Sequence, residues 1–163
     1  MKLFRQKQNW TKMPVLFVLG FCVYITSEVL FRGYSFPVMG LCGGIALVLL
    51  NMINDKISWD LDLLIQSAIG SGIITLMELV IGSICKWFDL VQMWDYSNMP
   101  LNFNGVICLP FSLVWMVMSV VGIFIADAIS YYMYEELPVP YYKIFGVVVV
   151  KFREKHCNLH CDN

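Results

Sequence analysis

The sequence is poor in the groups that most enzyme chemistry requires. Its two histidines, His156 and His160, both lie near the C-terminus, and charged residues make up only 14% of the chain, against about 25% in an ordinary soluble domain. A Ser/His/Asp triad inside an apolar core is therefore excluded. The chain also lacks a G-x-x-x-x-G-K-[ST] phosphate loop, an H-E-x-x-H zinc helix, a G-x-S-x-G nucleophile turn and a C-x-x-C pair. With 11 Lys+Arg against 12 Asp+Glu the formal net charge is −1, without the basic excess on which nucleic-acid binding draws. No enzymatic activity, resident metal, cofactor or nucleic-acid partner is expected.

What the chain has in quantity is apolar surface. Hydrophobic residues account for 59% of its 163 positions, more than one core of this size can hide. They fall in four runs, about 14–31, 36–53, 63–84 and 106–132, each long enough to cross roughly 30 Å of hydrocarbon as a helix. The expected fold is an all-α integral membrane protein: a four-helix transmembrane bundle over residues 1–134, followed by a cytoplasmic, membrane-associated tail over 135–163. The first run is read as an uncleaved span, because Thr26 to Arg32 offers no small-x-small cleavage pattern.

Orientation follows from the basic residues. With the N-terminus inside, the inner segments hold Lys2, Arg5, Lys7, Lys12, Lys56, Lys143, Lys151, Arg153 and Lys155, and the outer segments hold only Arg32 and Lys86. This asymmetry predicts a multi-pass protein of the plasma membrane with both termini cytoplasmic. The six cysteines lie in apolar runs or in the tail, which gives no disulfide framework.

Two segments fall outside the simple pattern. Between the third and fourth helices, Cys85 to Gly105 mixes Trp87, Phe88, Leu90, Val91, Met93 and Trp94 with polar residues. A short amphipathic helix along the outer interface is expected there, with a plain loop as the alternative. After the fourth helix, Ile144 to Val150 is too short to span. Its four valines favour an extended segment, with Lys143 and Lys151 reaching toward anionic headgroups. Ser58 is a candidate N-cap for the third helix.

Acidic side chains within the helices are the main anomaly. A carboxylate near the bilayer centre costs at least about 2.5–3.5 kcal/mol, yet the runs contain Glu28, Glu78 and Asp127. Glu28 and Glu78 are expected toward the outer side, where they can form one cluster with Arg32, which is four residues beyond Glu28. Asp127 falls near the inner end. These four residues are the candidate contacts for a substrate or ion, and snorkelling to an interface is the alternative for Glu28 and Asp127. Ser67, Ser71, Thr75, Glu78 and Gly82 share one face of the third helix, Gly40 and Gly44 mark the second, and Ser112, Ser119 and Gly122 share a face of the fourth; such faces suit close helix packing. Pro37 and Pro110 mark helix starts, and the acidic odd helices and Pro-marked even helices read as two hairpins in series. The His156–Cys161 tail lacks the spacing of a structural zinc site.

The stretch Trp94-Asp95-Tyr96-Ser97, then Leu101-Asn102-Phe103-Asn104-Gly105-Val106-Ile107-Cys108-Leu109, then Ser112 and Trp115, resembles the signature of the CmpB-type putative ABC-transporter membrane proteins, a family with relatives among small animal transmembrane proteins. Glu28 with Arg32-Gly33, Pro37 and Gly40 is similar to its first hairpin, and Glu78 to its acidic position. The resemblance runs from Phe17 to Ser130 and leaves the tail after Tyr134 unmatched. It implies a permease-like component without its own ATPase, acting on a small molecule or lipid. The outer-loop positions carried over are Trp94, Asp95, Tyr96, Ser97, Asn102, Asn104, Gly105 and Ser112. Expected partners are the bilayer, a separate ATPase or another membrane protein, and a second copy of the chain. The alternative is a non-transporting scaffold or accessory subunit.

Overall fold

The structure is a computed structural model that describes residues 10–56, 60–136 and 138–154. Its elements are α1 (Lys12–Arg32), α2 (Pro37–Lys56), α3 (Leu63–Trp87), β1 (Asn102–Phe103), β2 (Ile107–Cys108), α4 (Leu109–Tyr132), β3 (Tyr141–Ile144) and β4 (Val147–Lys151). The architecture is mostly helical, with two small antiparallel hairpins added. Three helices, α1, α3 and α4, are long and apolar enough to cross a membrane, while the apolar part of α2, Pro37–Ile53, is shorter.

Local chemistry sets the helix ends. α1 stops at Gly33, whose φ of 80° closes the helix by returning its N–H to the Val29 carbonyl, a position where a side chain would be strained. α3 starts at Asp62, whose carboxylate accepts from the Leu64 N–H at 2.9 Å; the expected cap, Ser58, lies outside the described residues. Asp62→Ala is expected to lower unfolding free energy by about 1 kcal/mol, measured by chemical denaturation of the purified protein.

The helices run up and down as two antiparallel hairpins, α1 on α2 and α3 on α4, with α2 also against α4. We call the end holding Lys12 and Tyr132 the base and the end holding Arg32 and Leu109 the crown. Glycines set the α1–α2 distance. A methyl group at Gly20 would come within 2.5 Å of the Gly43 carbonyl oxygen, and one at Gly44 within 2.7 Å of the Phe17 carbonyl oxygen, so the two backbones pass in contact. Gly40, on the same α1-facing side as Gly44, receives the Phe21 and Ile25 side chains. Between α3 and α4 the contacts are polar: Ser71 donates to the Ser112 carbonyl at 2.6 Å and Thr75 shares a 3.0 Å hydrogen bond with the Ser112 hydroxyl.

Beside an apolar core that includes Leu16, Leu50 and Ile123, the bundle buries polar groups and exposes apolar ones. Val18, Leu76, Val80, Leu113, Val117 and Val121 point outward and are exposed, while Gln66, Ser67, Ser71, Glu78, Ser119, Asp127 and Ser130 are buried. Apolar outside and polar inside is the arrangement expected of helices in lipid.

The segments between and after the helices differ from expectation. No interfacial helix forms between α3 and α4. The segment 88–101 turns instead, with Asp89 and Leu101 both at φ 52°; Asn104 and Gly105, at φ 52° and 64°, are the central residues of the Phe103–Val106 turn that connects β1 to β2, the backbone signature of tight hairpin turns. This ladder occupies Asn102 to Cys108, so α4 begins at Leu109 rather than at Val106. A second hairpin forms in the tail, where Phe145 and Gly146, at φ 50° and 78°, connect Ile144 to its strand partner Val147. The extended backbone expected for the valine run is present as β4, and its flanking lysines pair with surface carboxylates: Lys143 with Asp60, and Lys151 with Glu154 at 2.7 Å. The N-terminal basic residues Lys2, Arg5 and Lys7 and the His156–Cys161 run lie outside the described residues.

Candidate functional site

Glu78 sits on α3, nine residues before its crown end at Trp87, or about 13 Å along the axis. Its side chain is buried. The crown loop reaches down to it: the Tyr96 hydroxyl donates to Glu78 Oε1 at 2.9 Å, and the Tyr96 ring stacks on Phe111 of α4 with centroids 4.6 Å apart. Burial, and next the charge of Glu78, push the Tyr96 phenol far above its ordinary value, so it remains a donor. The Trp115 indole of α4 is turned toward the same carboxyl, and Glu78 Oε2 and Trp115 Nε1 are both buried. Tyr24 of α1 lies within electrostatic reach of Glu78. Below the carboxylate on the same face of α3, the Thr75, Ser112 and Ser71 bonds continue toward the base.

Glu28 and Arg32 form a separate group nearer the surface of the crown. Arg32 Nη2 pairs with Glu28 Oε1 at 2.6 Å, Ser35 donates to the other carboxylate oxygen, and Arg32 Nη1 donates to the Met93 carbonyl at 3.0 Å. The guanidinium also lies 5.1 Å from the Tyr34 ring centre. The expected single cluster of Glu28 with Glu78 is therefore divided in two: Glu28 is held by Arg32 and Ser35, and Glu78 by Tyr96.

Most of the outer-loop signature holds the loop itself. Trp94 Nε1 donates to the Val106 carbonyl at 2.8 Å, over Gly82, where a methyl group would meet Val106. Asp95 accepts from the Ser97 N–H at 2.9 Å and hydroxyl at 2.6 Å, and these two bonds hold its carboxyl below the usual range. Asn102 Nδ2 donates to the Met99 carbonyl at 2.8 Å, and its Oδ1 accepts from the Gly105 N–H at 3.1 Å. Asn104 contributes its positive φ and a carbonyl that accepts from Lys86. The Tyr96 N–H bonds to the Gly105 carbonyl at 2.9 Å, so this network places the phenol that reaches Glu78. Ser112 serves the α3–α4 contact instead.

Asp127 lies at the other end, as its position implies, and is buried. It is reached in the same manner: the Tyr142 hydroxyl of β3 donates to Asp127 Oδ2 at 2.7 Å. Tyr142 is itself fully buried, packed with Leu50, Ile53, Leu63 and Ile123, its ring centre 4.1 Å from that of Phe124. Burial, and then the charge of Asp127, raise its phenol well above the ordinary value. Around it the base is closed by Lys12 on Glu136 at 2.8 Å, Ser130 on Asn51 at 2.8 Å, and Tyr141 on Asp60 at 2.9 Å. Each end of the bundle thus carries a buried carboxylate capped by a tyrosine from a non-helical segment. Tyr142→Phe is expected to cost about 1.5–3 kcal/mol, the range for a hydrogen bond to a charged group, and to speed proteolysis within 133–154, read by limited digestion.

Tyr24, Trp115 and Tyr142 were not singled out as contacts by sequence. For Tyr142 a signal existed: Phe145-Gly146 between two extended apolar runs is a hairpin pattern, and pairing fixes which tyrosine faces inward. Among the described residues no group of three or more His, Cys, Asp or Glu is placed to hold a metal ion.

A family model described as putative ABC-transporter type IV matches residues 12–153. The match extends past the stretch from Phe17 to Ser130 that carries the resemblance and takes in the base hairpin, so the tail from Glu135 to Arg153 belongs to the pattern. No curated protein and no solved structure matches the chain.

Proposed function

The chain belongs to the putative ABC-transporter type IV family, and from that premise we propose that it is a four-span, permease-like membrane component that handles a small cationic solute or a lipid carrying a cationic group. ATP hydrolysis, where transport uses it, comes from outside these 163 residues, which contain no phosphate loop. The fourth span is α2. It is antiparallel to α1 and in backbone contact with it near Gly20 and Gly43, so it occupies the same slab of membrane, and its 17-residue apolar part falls within the range of about 17–25 residues that span. Basic residues concentrate at the base, which favours a cytoplasmic base and an outer crown in the plasma membrane.

The observation that carries the reading is Glu78: a buried carboxylate inside an apolar bundle, with one oxygen capped by Tyr96 and the carboxyl faced by the Trp115 indole. A carboxylate kept within the apolar span is a candidate functional group, and one beside the Tyr96 and Trp115 rings suits a cation, attracted by charge and by aromatic faces together. The tyrosine-capped carboxylates at crown and base are consistent with a closed state. Glu28, Arg32 and Asp127 then line or guard the route rather than form the central contact.

The scaffold reading draws on one observation, the inward-turned hydrogen bonds of the signature loop. Purification in mild detergent, with mass spectrometry of bound chains and bound small molecules, separates the two. An ATP-hydrolysing chain in fixed ratio, or a cationic solute absent from Glu78→Gln preparations, supports transport; a non-ATPase membrane protein alone, with no bound solute, overturns it.

A further inference from the structure

The hairpin at the base leaves one strand without cover. Tyr142 and Ile144 of β3, together with Phe152, pack against the helices, whereas every residue of β4 is exposed; Val147 is 66% exposed and Phe145, at the turn, 86%. Four valines in a row, Val147 to Val150, on an open two-stranded ribbon are an aggregation hazard in water.

We infer that β4 and the Phe145–Gly146 turn insert into the headgroup layer of the adjacent leaflet, and that lipid glycerol and acyl carbon are the occupant of this face. Depth supports this. Tyr142 reaches Asp127, five residues before the end of α4 at Tyr132, or about 7.5 Å along the axis, which leaves the β3 backbone beside the helix end. The 24 residues of α4 cover about 36 Å, slightly more than the hydrocarbon thickness, so its end and the hairpin beside it lie in the headgroup layer. The ribbon also continues the lipid-facing flank of the bundle, because Phe152 stacks on the half-exposed Tyr132 with centroids 5.8 Å apart.

The anchor is apolar. Lys143 and Lys151, the cations flanking the valines, already pair with Asp60 and Glu154, and both lysines are held above their ordinary values by those bonds. Attachment through Val147–Val150 and Phe145 therefore needs neither anionic lipid nor low salt, unlike a polybasic segment.

The inference rests on α4 crossing the membrane, and the test separates the two. A benzophenone side chain is placed at position 117, 145 or 149 of the full chain, reconstituted in phosphatidylcholine vesicles and irradiated, and adducts are identified by mass spectrometry. Position 117, midway along α4 and outward-facing, reports the span itself. Single-phospholipid adducts are expected at all three positions, with yields at 145 and 149 changing by less than about twofold when phosphatidylglycerol or salt is added. Lipid adducts at 117 with none at 145 and 149, or with chain-to-chain adducts there, overturn the anchor and leave the span intact. A yield at 145 and 149 that rises severalfold with anionic lipid overturns its apolar character. No lipid adduct at 117 overturns the span.

Discussion

Glu78→Gln is expected to abolish retention and uptake of the co-purifying solute while the protein still folds. Glutamine keeps the size of the side chain and the oxygen that accepts from Tyr96 at 2.9 Å, so the crown loop stays seated; only the charge is lost. A buried carboxylate costs at least about 2.5 kcal/mol in the bilayer, and a cation that relieves this cost gains at least about 60-fold in affinity. Loss of about that factor in solute binding is the expected size of the effect. Glu78→Asp makes the complementary change. It keeps the charge but draws the carboxylate away from Tyr96, so it should weaken solute binding less and loosen the loop more, seen as faster proteolysis within 88–108. If Glu78 serves only as a packing device, the order reverses: Gln is silent in uptake and Asp is harmful. Equal, unchanged uptake in both variants removes Glu78 from the site.

The burial pattern behind this reading was legible in sequence because lipid imposes a simple rule: long apolar runs become helices whatever their partners. Helix number, the α3 start at Leu63 and the opposite placement of Glu78 and Asp127 all follow from run length and position. What packs on each acid did not follow. Tyr96 and Tyr142 reach their carboxylates only because Asn104-Gly105 and Phe145-Gly146 fold the flanking segments into hairpins, and both segments are dominated by apolar residues that composition assigns to an interface. Two-residue turn chemistry outweighed amphipathic patterning there. The separation of Glu28 from Glu78 was likewise hidden, since Arg32 and Ser35, adjacent in sequence, satisfy Glu28 locally before α3 can.

Gly43→Leu is expected to have the largest effect on folding. At Gly43 a first side-chain carbon would already lie 2.5 Å from Tyr24 Cβ and 2.8 Å from the Gly20 carbonyl oxygen, and neither can give way without moving α1. Leucine adds three more carbons along the same direction, so α1 and α2 must separate. The cost is at or beyond the upper end of the usual 1–3 kcal/mol for overpacking, about 3 kcal/mol or more, because the clash is with backbone. In lipid no hydrophobic force drives two helices together, and close contact is what holds them. Separation also shifts Tyr24, which faces Gly43 from α1 near the crown. The variant should therefore lose thermal stability and solute binding together, whereas Leu113→Ala, on the exposed face of α4, changes neither. Gly72→Leu is the matched control: nothing lies within 4 Å of a methyl group there, so the same insertion on an α3 face without a close neighbour should be tolerated. If Gly43→Leu is as stable as Gly72→Leu, α2 is not clamped to α1, and the argument that the shorter helix crosses the membrane beside it fails.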